Sequence, residues 1–238
     1  KYSNPQGIVY SDETVKRLAS LQPRAKDFRI FWDNAYSVHD LSATPIEILN
    51  IMDECVKIHN ENLPIMFCSL SKITLAGAAI AGMACSGDNL RDFKLRYSIQ
   101  SVGPDKINQL RHVRFLNDIE GIRNHMKKHR KILEPKFNLV INKLKENFSD
   151  NPVIKWQNPK GGYFVSVDLL DGCAKRTVEL CKNAGVILTD AGATYPYGVD
   201  PKDSNIRIAP SFPDLKELSL AMDIFCVSVK LSCLEKLL

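Results

Sequence analysis

Residues 67–77 read FCSLSKITLAG, and the rest of the chain is interpreted outward from this stretch. The apolar run LPIMFC at residues 63–68 leads into it and predicts a short buried strand. Ser69, Ser71 and Lys72 come at its end. At the end of a buried strand a lysine is partly desolvated, which favours its nucleophilic neutral amine, and neighbouring hydroxyls can bind a phosphate. This combination is typical of a lysine that holds pyridoxal phosphate (PLP) covalently, although a solvated loop lysine has the same local sequence.

Three further motifs stand in a fixed order around this lysine. Residues 28–32, FRIFW, predict another buried strand, and Asp33 and Tyr36 follow it. The turn signature NPQG precedes them at residues 4–7, and NIRIAPS comes near the C-terminus at residues 205–211. Like the lysine, Asp33 therefore follows a predicted strand, and ligands of parallel α/β sheets bind at the carboxyl ends of the strands.

In this order the motifs resemble those of the fold-type I PLP-dependent aminotransferases, over essentially the whole chain. The wording of SKITLAG at residues 71–77, GPDK at 103–106, NQLR at 108–111 and YPYG at 195–198 most resembles the MocR-like aminotransferase subgroup, which includes aspartate aminotransferases. The resemblance implies a ping-pong transaminase that moves an amino group between an amino acid, aspartate first, and a 2-oxo acid. It also implies a homodimer with its site near the subunit interface.

The resemblance assigns cofactor-binding roles to five residues of the first two motifs. Lys72 holds PLP covalently and, once released, moves the proton of the reaction as general base and acid. Asp33 is expected as a buried carboxylate that keeps the pyridine nitrogen protonated, and Tyr36 donates to the ring oxygen. Ser69 and Ser71 bind the phosphate. Taken singly, Asp33 also fits a strand-end cap and Tyr36 a core residue.

Substrate contacts are implied for two more residues. Asn4 resembles the asparagine that bonds the cofactor ring oxygen and contacts substrate, although a turn former fits its motif too. Arg207 resembles the arginine that binds the substrate α-carboxylate, because its planar fork suits a carboxylate. A surface salt bridge is the alternative for Arg207, but the apolar flanks Ile206 and Ile208 favour a strand that enters the interior.

Alternating strand and helix patterns predict an α/β fold with parallel strands. The resemblance implies the C-terminal part of a PLP-dependent transferase large domain, with a mostly parallel sheet and flanking helices, over residues 1–124. A smaller α+β domain is expected over residues 125–238. Helices are predicted at 10–22, from 45, 88–97, 105–147 with breaks at Gly121 and Pro135, 173–184 and 214–237. Strands are predicted at 28–32, 63–68, 76–85, 153–156, 163–167, 186–188 and 206–209.

The composition argues against nucleic acid, membranes and metal ions as partners of this chain. The chain has 238 residues, 45% hydrophobic and 25% charged, with a net charge of +5, as is ordinary for a soluble globular protein. The basic cluster KKHRK at residues 127–131 favours a solvated helix face over nucleic-acid binding. No apolar run reaches the roughly 18 residues of a membrane span, and no metal-ligand spacing is found. The seven cysteines match no redox motif and indicate reduced, mostly buried thiols in a cytoplasmic protein.

Two departures from the family pattern stand out. Most members carry a phosphate-binding arginine seven or eight residues after the lysine, where this chain has Ala79 and Ile80. The NPxG motif also normally lies near mid-chain and here begins at residue 4, so the chain resembles the C-terminal part of such a protein. On that interpretation these residues by themselves are expected to bind PLP weakly and to show negligible transaminase activity.

Two other functions fit the same resemblance. MocR-type transcription regulators carry an aminotransferase-like domain that senses a ligand, so a sensing domain is one alternative. A PLP lyase or decarboxylase on the same fold is the other, since one fold hosts several chemistries.

Overall fold

The computed structural model describes residues 1–149 and 152–238. The chain divides into two compact units. Unit 1 comprises Lys1, Val9–Val38 and Ile46–Lys127, and unit 2 comprises Tyr2–Ile8, His39–Pro45 and Lys128–Leu238. We keep the domain boundary between residues 124 and 125 as a proposal.

Unit 1 contains three strands and the helices beside them. Its elements are α1 (Asp12–Ala19), β1 (Ile30–Asp33), α2 (Ile51–Lys57), β2 (Pro64–Ser69), β3 (Ala81–Ala84), α3 (Gly87–Gln100), α4 (Lys106–Leu116) and the first part of α5 (Ile119–Phe148).

The sheet of unit 1 is mixed. β1 pairs with β2 in parallel, with Asp33 opposite Phe67, whereas β2 pairs with β3 in antiparallel fashion, with Ser69 opposite Ala81. The expectation of a mostly parallel sheet is therefore wrong for the described residues. The β1–β2 connection contains α2 and can cross over the sheet, but the β2–β3 connection contains no crossover helix, so the chain turns back.

Helices α1 and α2 cover one face of this sheet. Trp32 of β1 packs in a buried cluster with Val15 of α1 and with Ile51 and Cys55 of α2. On the opposite face Phe31 is 71% exposed. Since β1 and β2 run in parallel, their carboxyl ends meet at one edge of the sheet, as the sequence predicts.

Two helix boundaries differ from the predictions. α2 begins at Ile51, well after residue 45, because the Asn50 side chain accepts from the Met52 N–H (3.0 Å) and caps the helix there. α5 runs without a break through Gly121 and Pro135. The break lies before it, at Asn117, whose φ of 63° and ψ of −70° end α4 in a three-residue turn closed by the Asp118 N–H and the Leu116 carbonyl (2.8 Å).

Unit 2 packs a second sheet against long helices. It holds the remainder of α5, β4 (Ile154–Trp156), β5 (Val165–Leu169), α6 (Ala174–Asn183), a short 3₁₀ turn (Pro196–Gly198), β6 (Asn205–Ile208) and α7 (Leu215–Leu237). The strand order is β4-β5-β6, and both pairs are antiparallel. Asp214 caps α7, as the sequence predicts.

A predicted strand at 186–188 is not formed. The Val186 N–H instead bonds to the Cys181 carbonyl (2.8 Å) and closes the end of α6. Val186 and Leu188 still pack against the core, but Ile187 is 87% exposed. A short apolar run without a neighbouring strand to pair with does not become a strand.

Residues 2–8, near the start of the chain, belong to unit 2. Residues 3–8 form a tight turn in which the Ser3 N–H bonds to the Ile8 carbonyl (3.0 Å). Gly7 has a φ of +67°, and a Cβ on it would lie 2.5 Å from the Cβ of Pro159, so the turn requires glycine. Tyr2 is buried and its hydroxyl bonds to Asp40. These contacts fix the turn that carries Asn4.

The cysteines are all free, and five of the seven are buried. Burial raises the pKa of the Cys55 thiol to about 11. Cys68 is exposed, unlike these five, although it lies on the same face of β2 as Met66, which packs in the helix-covered cluster. Among the helices of the described residues, none combines the length and the apolar character of a membrane span.

Candidate functional site

Lys72 lies on a tight turn at the carboxyl end of β2. The turn is closed by the Leu70 carbonyl, which accepts from the Ile73 and Thr74 N–H groups (3.0 and 2.9 Å), while the Leu70 N–H bonds to Ile80 (2.9 Å). The Lys72 side chain is exposed, so the desolvation expected from the sequence is not present in the described residues. The turn places the amine outside the core rather than in it.

Ser69 and Ser71 form a local pair at the same turn. Their Oγ atoms lie 2.9 Å apart, and Ser69 Oγ accepts from the Ser71 N–H (3.2 Å). Both residues are half-buried. Such a serine turn fixes two hydroxyls next to each other, which is the arrangement that a phosphate oxygen can use.

Asp33 and Tyr36 follow β1 at the same sheet edge. Asp33 is exposed, and its Oδ1 accepts from the Ala35 N–H (3.0 Å), so the expected buried carboxylate is wrong within the described residues. This bond is the strand-end contact that the alternative interpretation predicts. Tyr36 is buried, and its ring centroid lies 5.2 Å from the Lys72 Nζ.

Five predicted residues therefore come together in unit 1. β1 supplies a carboxylate and, just beyond it, a phenol; β2 supplies one hydroxyl, and the turn after it a second hydroxyl and an amine. The residues are Asp33, Tyr36, Ser69, Ser71 and Lys72.

Arg207 and Asn4 come together in unit 2. Arg207 lies in β6 between the buried Ile206 and Ile208, and its Nη1 donates to Asn4 Oδ1 (3.1 Å). Its guanidinium carbon lies 4.4 Å above the ring centroid of Phe164. The Nε atom is buried and has no hydrogen-bond partner among the described residues. A buried donor without a partner is costly, so this N–H suits an acceptor that binds there.

Asp200 fixes the start of the strand that carries Arg207. Its carboxylate accepts from the backbone N–H groups of Lys202 (3.0 Å), Ser204 and Asn205 (both 2.8 Å). Burial opposes its ionisation, but these hydrogen bonds outweigh burial and hold the pKa of Asp200 below its usual range. The carboxylate is thus a structural anchor for β6.

The predictions missed Phe164 and Asp200. Phe164 stands one residue before β5 and stacks on Arg207 across the sheet, a contact that the separation in sequence does not indicate. Asp200 had a weak local signal, because an aspartate shortly before a strand commonly caps backbone N–H groups in a turn.

The donor set of unit 1 fits PLP. An amine, two adjacent hydroxyls, a carboxylate and a phenol match the aldehyde, the phosphate, the pyridine nitrogen and the ring oxygen of that cofactor. In unit 2 the unpartnered Arg207 Nε fits a carboxylate. Within the described residues no group of histidine, cysteine or carboxylate side chains could hold a metal ion.

Comparison with known proteins finds one family in particular. The family model described as aspartate amino-transferase matches residues 1–238. A Mycolicibacterium smegmatis protein provisionally named an aminotransferase is 44% identical over 237 residues. An aspartate aminotransferase of Corynebacterium glutamicum is 42% identical over 234 residues. The matches cover 100% and 98% of this chain but only 55% and 54% of the two relatives, so the chain spans about half their length.

Solved structures give the same fold. The crystal structure of an aspartate transaminase from Corynebacterium glutamicum matches 99% of this chain and 55% of its own, with 41% identity and a TM-score of 0.96. A kynurenine aminotransferase from Pyrococcus horikoshii, solved in complex with PMP, matches 97% of this chain and 54% of its own, with a TM-score of 0.80. At 22% identity the second likeness concerns the fold alone.

Proposed function

Since this chain belongs to the aspartate amino-transferase family, we propose that the protein is a PLP-dependent aminotransferase. It moves an amino group from an amino acid to a 2-oxo acid in a ping-pong cycle. The donor leaves as its own 2-oxo acid before the acceptor binds, so the cycle needs no external oxidant or reductant. We place the protein in the MocR-like subgroup, on the wording of residues 71–77 and 195–198, and take aspartate as the first donor.

One observation carries the proposal: the Lys72 amine, the Ser69 and Ser71 hydroxyls and the Tyr36 ring lie at one sheet edge. When bound, PLP supplies an aldehyde that condenses with an amine, with loss of water, and a ring that draws electrons from the substrate. The Lys72 Nζ provides that amine. Its amine would take the proton from the substrate Cα as general base and pass it, as general acid, to the carbon that carried the cofactor's aldehyde.

The other residues of unit 1 hold the cofactor in place. The Ser69 and Ser71 hydroxyls donate to the phosphate, and the Tyr36 hydroxyl donates to the ring oxygen. Asp33 would accept a hydrogen bond from the protonated pyridine nitrogen, because a carboxylate at that place stabilises the positive charge of the ring. The Asp33 carboxylate already accepts one backbone N–H and has a second oxygen for this bond.

In unit 2, Arg207 binds the substrate α-carboxylate. Nε and one terminal nitrogen of a guanidinium form a fork that matches two carboxylate oxygens. Asn4 holds Nη1, and the Phe164 ring lies under the guanidinium plane, which together leave the Nε side for the substrate. The bond between Asn4 and the cofactor ring oxygen that the family resemblance implies stays a prediction.

A donor panel tests the proposal. The protein is purified at full length, loaded with PLP and mixed with L-aspartate and other amino acids, and 2-oxo acid, ammonia and carbon dioxide are measured. We expect one 2-oxo acid per cofactor in the absence of acceptor, and continued turnover when an acceptor 2-oxo acid is added. Release of ammonia or carbon dioxide instead would indicate a lyase or decarboxylase, and ligand binding without turnover would indicate a sensing domain. The homodimer and the cytoplasmic location stay predictions.

A further inference from the structure

Two side chains of α4 form hydrogen bonds with the segment that follows Lys72. Asn108 and His112 lie one helical turn apart, so they reach the same side of the helix. Asn108 Nδ2 donates to the Ala78 carbonyl (2.8 Å), and His112 Nε2 lies 2.9 Å from Thr74 Oγ1. Both contacts fall on the segment between β2 and β3, just after the lysine. None of these partners is among the residues assigned to the cofactor or the substrate.

A histidine of α5 holds the same turn. His125 Nε2 lies 2.8 Å from the Ile73 carbonyl oxygen, and before the lysine the Leu70 N–H bonds to the Ile80 carbonyl (2.9 Å). The backbone is therefore tied on both sides of Lys72, at residues 70 and 73. The lysine side chain is exposed, whereas hydrogen bonds to neighbouring segments fix the backbone around it.

Both ring nitrogens of His112 are committed to partners. His112 is 6% exposed, and its Nδ1 lies 2.8 Å from the Asn108 carbonyl oxygen. A carbonyl only accepts, so Nδ1 carries the proton, and Nε2 of the neutral ring accepts the single Thr74 hydroxyl proton, since it lies closer to Thr74 Oγ1 (2.9 Å) than the Leu70 carbonyl oxygen does (3.2 Å). A buried imidazole whose two nitrogens are both bonded acts as a rigid link between α4 and the turn.

We propose that His112 is a positioning residue for Lys72 and acts through Thr74 without touching cofactor or substrate. The proposal rests on the proposed function, because it assumes that Lys72 links to PLP. Groups that react must be held to within about 0.5 Å of the productive geometry, and an exposed lysine on a turn depends on the turn for that. Ser69 is less dependent on His112, since it is paired in the sheet with Ala81.

Two substitutions separate the two nitrogens of the imidazole. His112→Asn places an amide where Nδ1 was, so it keeps the bond to Asn108 and loses the bond to Thr74. His112→Gln places an amide where Nε2 was and keeps the bond to Thr74. Thr74→Val removes the hydroxyl with little change of shape, and Thr74→Ser restores it. His59→Asn, at an exposed histidine of the same unit, is the matched control.

The experiment measures the affinity of the purified protein for PLP and for pyridoxamine phosphate, which has no aldehyde and cannot link to Lys72. Borohydride reduction and peptide mapping give the fraction of Lys72 that carries the cofactor. We expect His112→Asn and Thr74→Val to weaken PLP binding about fivefold, the factor to which one ordinary hydrogen bond corresponds. Pyridoxamine phosphate binding should change less than about twofold in the same variants, if one hydrogen bond to the turn is all that is lost.

The remaining variants decide whether Thr74 transmits the effect. His112→Gln, Thr74→Ser and His59→Asn should bind PLP as the parent does, and combining His112→Asn with Thr74→Val should add nothing to either change. Equal losses for both cofactor forms, or no loss in either single variant, would overturn the positioning role. If His112→Asn does not fold by circular dichroism, the Thr74 pair decides. A parent protein that reduction does not label at Lys72 would instead overturn the proposed function.

Discussion

Lys72 and Arg207 are the two cationic side chains assigned to the cofactor and the substrate, and the fold holds them in opposite ways. Lys72 is exposed on a turn beyond the end of β2, and side chains of other helices tie the backbone around it. Arg207 lies within β6, between two buried isoleucines, with a ring under its guanidinium. The lysine side chain projects from its turn and is exposed, whereas the arginine is held to present one fixed fork.

The difference matches the work assigned to each residue. A lysine that forms a covalent link and then moves a proton must visit more than one position, so only its backbone can be fixed. An arginine that only binds a carboxylate gains from being rigid, because its fork is already oriented before the substrate arrives. Changes near Lys72 should therefore act on reactivity, and changes near Arg207 on binding and on the stability of unit 2.

The largest effect is expected at Lys72 itself. Lys72→Arg keeps the positive charge but removes the nucleophile, because arginine does not deprotonate in proteins. We expect the rate of amino transfer to fall by roughly 10²–10⁴-fold or more, the range that a positioned general acid–base group supplies. Borohydride reduction of the PLP-loaded parent should label Lys72 and leave the variant unlabelled. Lys94→Arg, on the exposed face of α3, is the control and should behave as the parent; a label on another lysine would contradict the assignment.

The next effect is expected at Arg207. Arg207→Lys keeps the charge and loses the fork, which should cost about 1.5–3 kcal/mol of binding and lower kcat/KM roughly 10–150-fold. Because every amino acid has the same α-carboxylate, the loss should be similar for all donors. Arg176→Lys, at an exposed arginine paired with Glu235, is the control. A loss confined to one donor would assign Arg207 to the side chain of that donor instead.

Asp200→Asn is expected to lower the free energy of unfolding by about 1–3 kcal/mol. The carboxylate now accepts hydrogen bonds from three backbone N–H groups, and in the variant an amide NH₂ would face some of these donors. The folded pKa of Asp200 is lowered, so its contribution is complete above the unfolded pKa of about 3.9 and is lost as the pH falls through the lower folded value. Urea unfolding of the variant and the parent at pH 7 and below pH 4 measures the loss of stability and its dependence on pH.

The variant and the parent should therefore differ at pH 7 and converge in acid. Asp171→Asn supplies the control, since this exposed carboxylate makes only a 3.7 Å ion pair with Lys202, and such pairs contribute little. An equal difference between Asp200→Asn and the parent at both pH values would show that the charge of Asp200 is not the stabilising feature.

The smallest effect is expected at Phe164. Phe164→Leu keeps an apolar side chain and removes the ring under the guanidinium, which should cost about 0.5–1 kcal/mol in substrate binding. KM should rise about two- to fivefold while kcat stays unchanged, because the ring only orients Arg207. A fall in kcat with unchanged KM would place the ring in the chemical step and weaken the contrast between the two regions.

Local patterns were sufficient for much of the fold. The strand before Lys72, the strand that contains Arg207 and the Asp214 cap of the last helix all follow from apolar periodicity and capping chemistry, which act between near neighbours. The predictions at residues 186–188 and Gly121 were wrong because the outcome depended on distant partners. A strand needs another strand beside it, and a glycine is tolerated in a helix that packing supports.

In the candidate site, too, residue identities could be predicted from the sequence, whereas contacts between distant residues could not. Residue types and their order were enough to select Asp33, Tyr36, Ser69, Ser71 and Lys72, but the exposure of Asp33 was not visible in them. The bond between Asn4 and Arg207 joins residues 203 positions apart, and the bond between Thr74 and His112 joins residues 38 apart. Neither partner carries a local signal of the other.

By itself, the sequence determined which chemical groups this protein has and at which strand ends they stand, because hydrophobic periodicity and turn chemistry are local. Tertiary structure alone decided which way β3 runs, which face of the first sheet the helices cover and how Lys72 and Arg207 are held. The physical reason is that hydrogen bonds and packing between distant segments form only once the chain has closed the loops between them, at an entropic cost that no local pattern encodes.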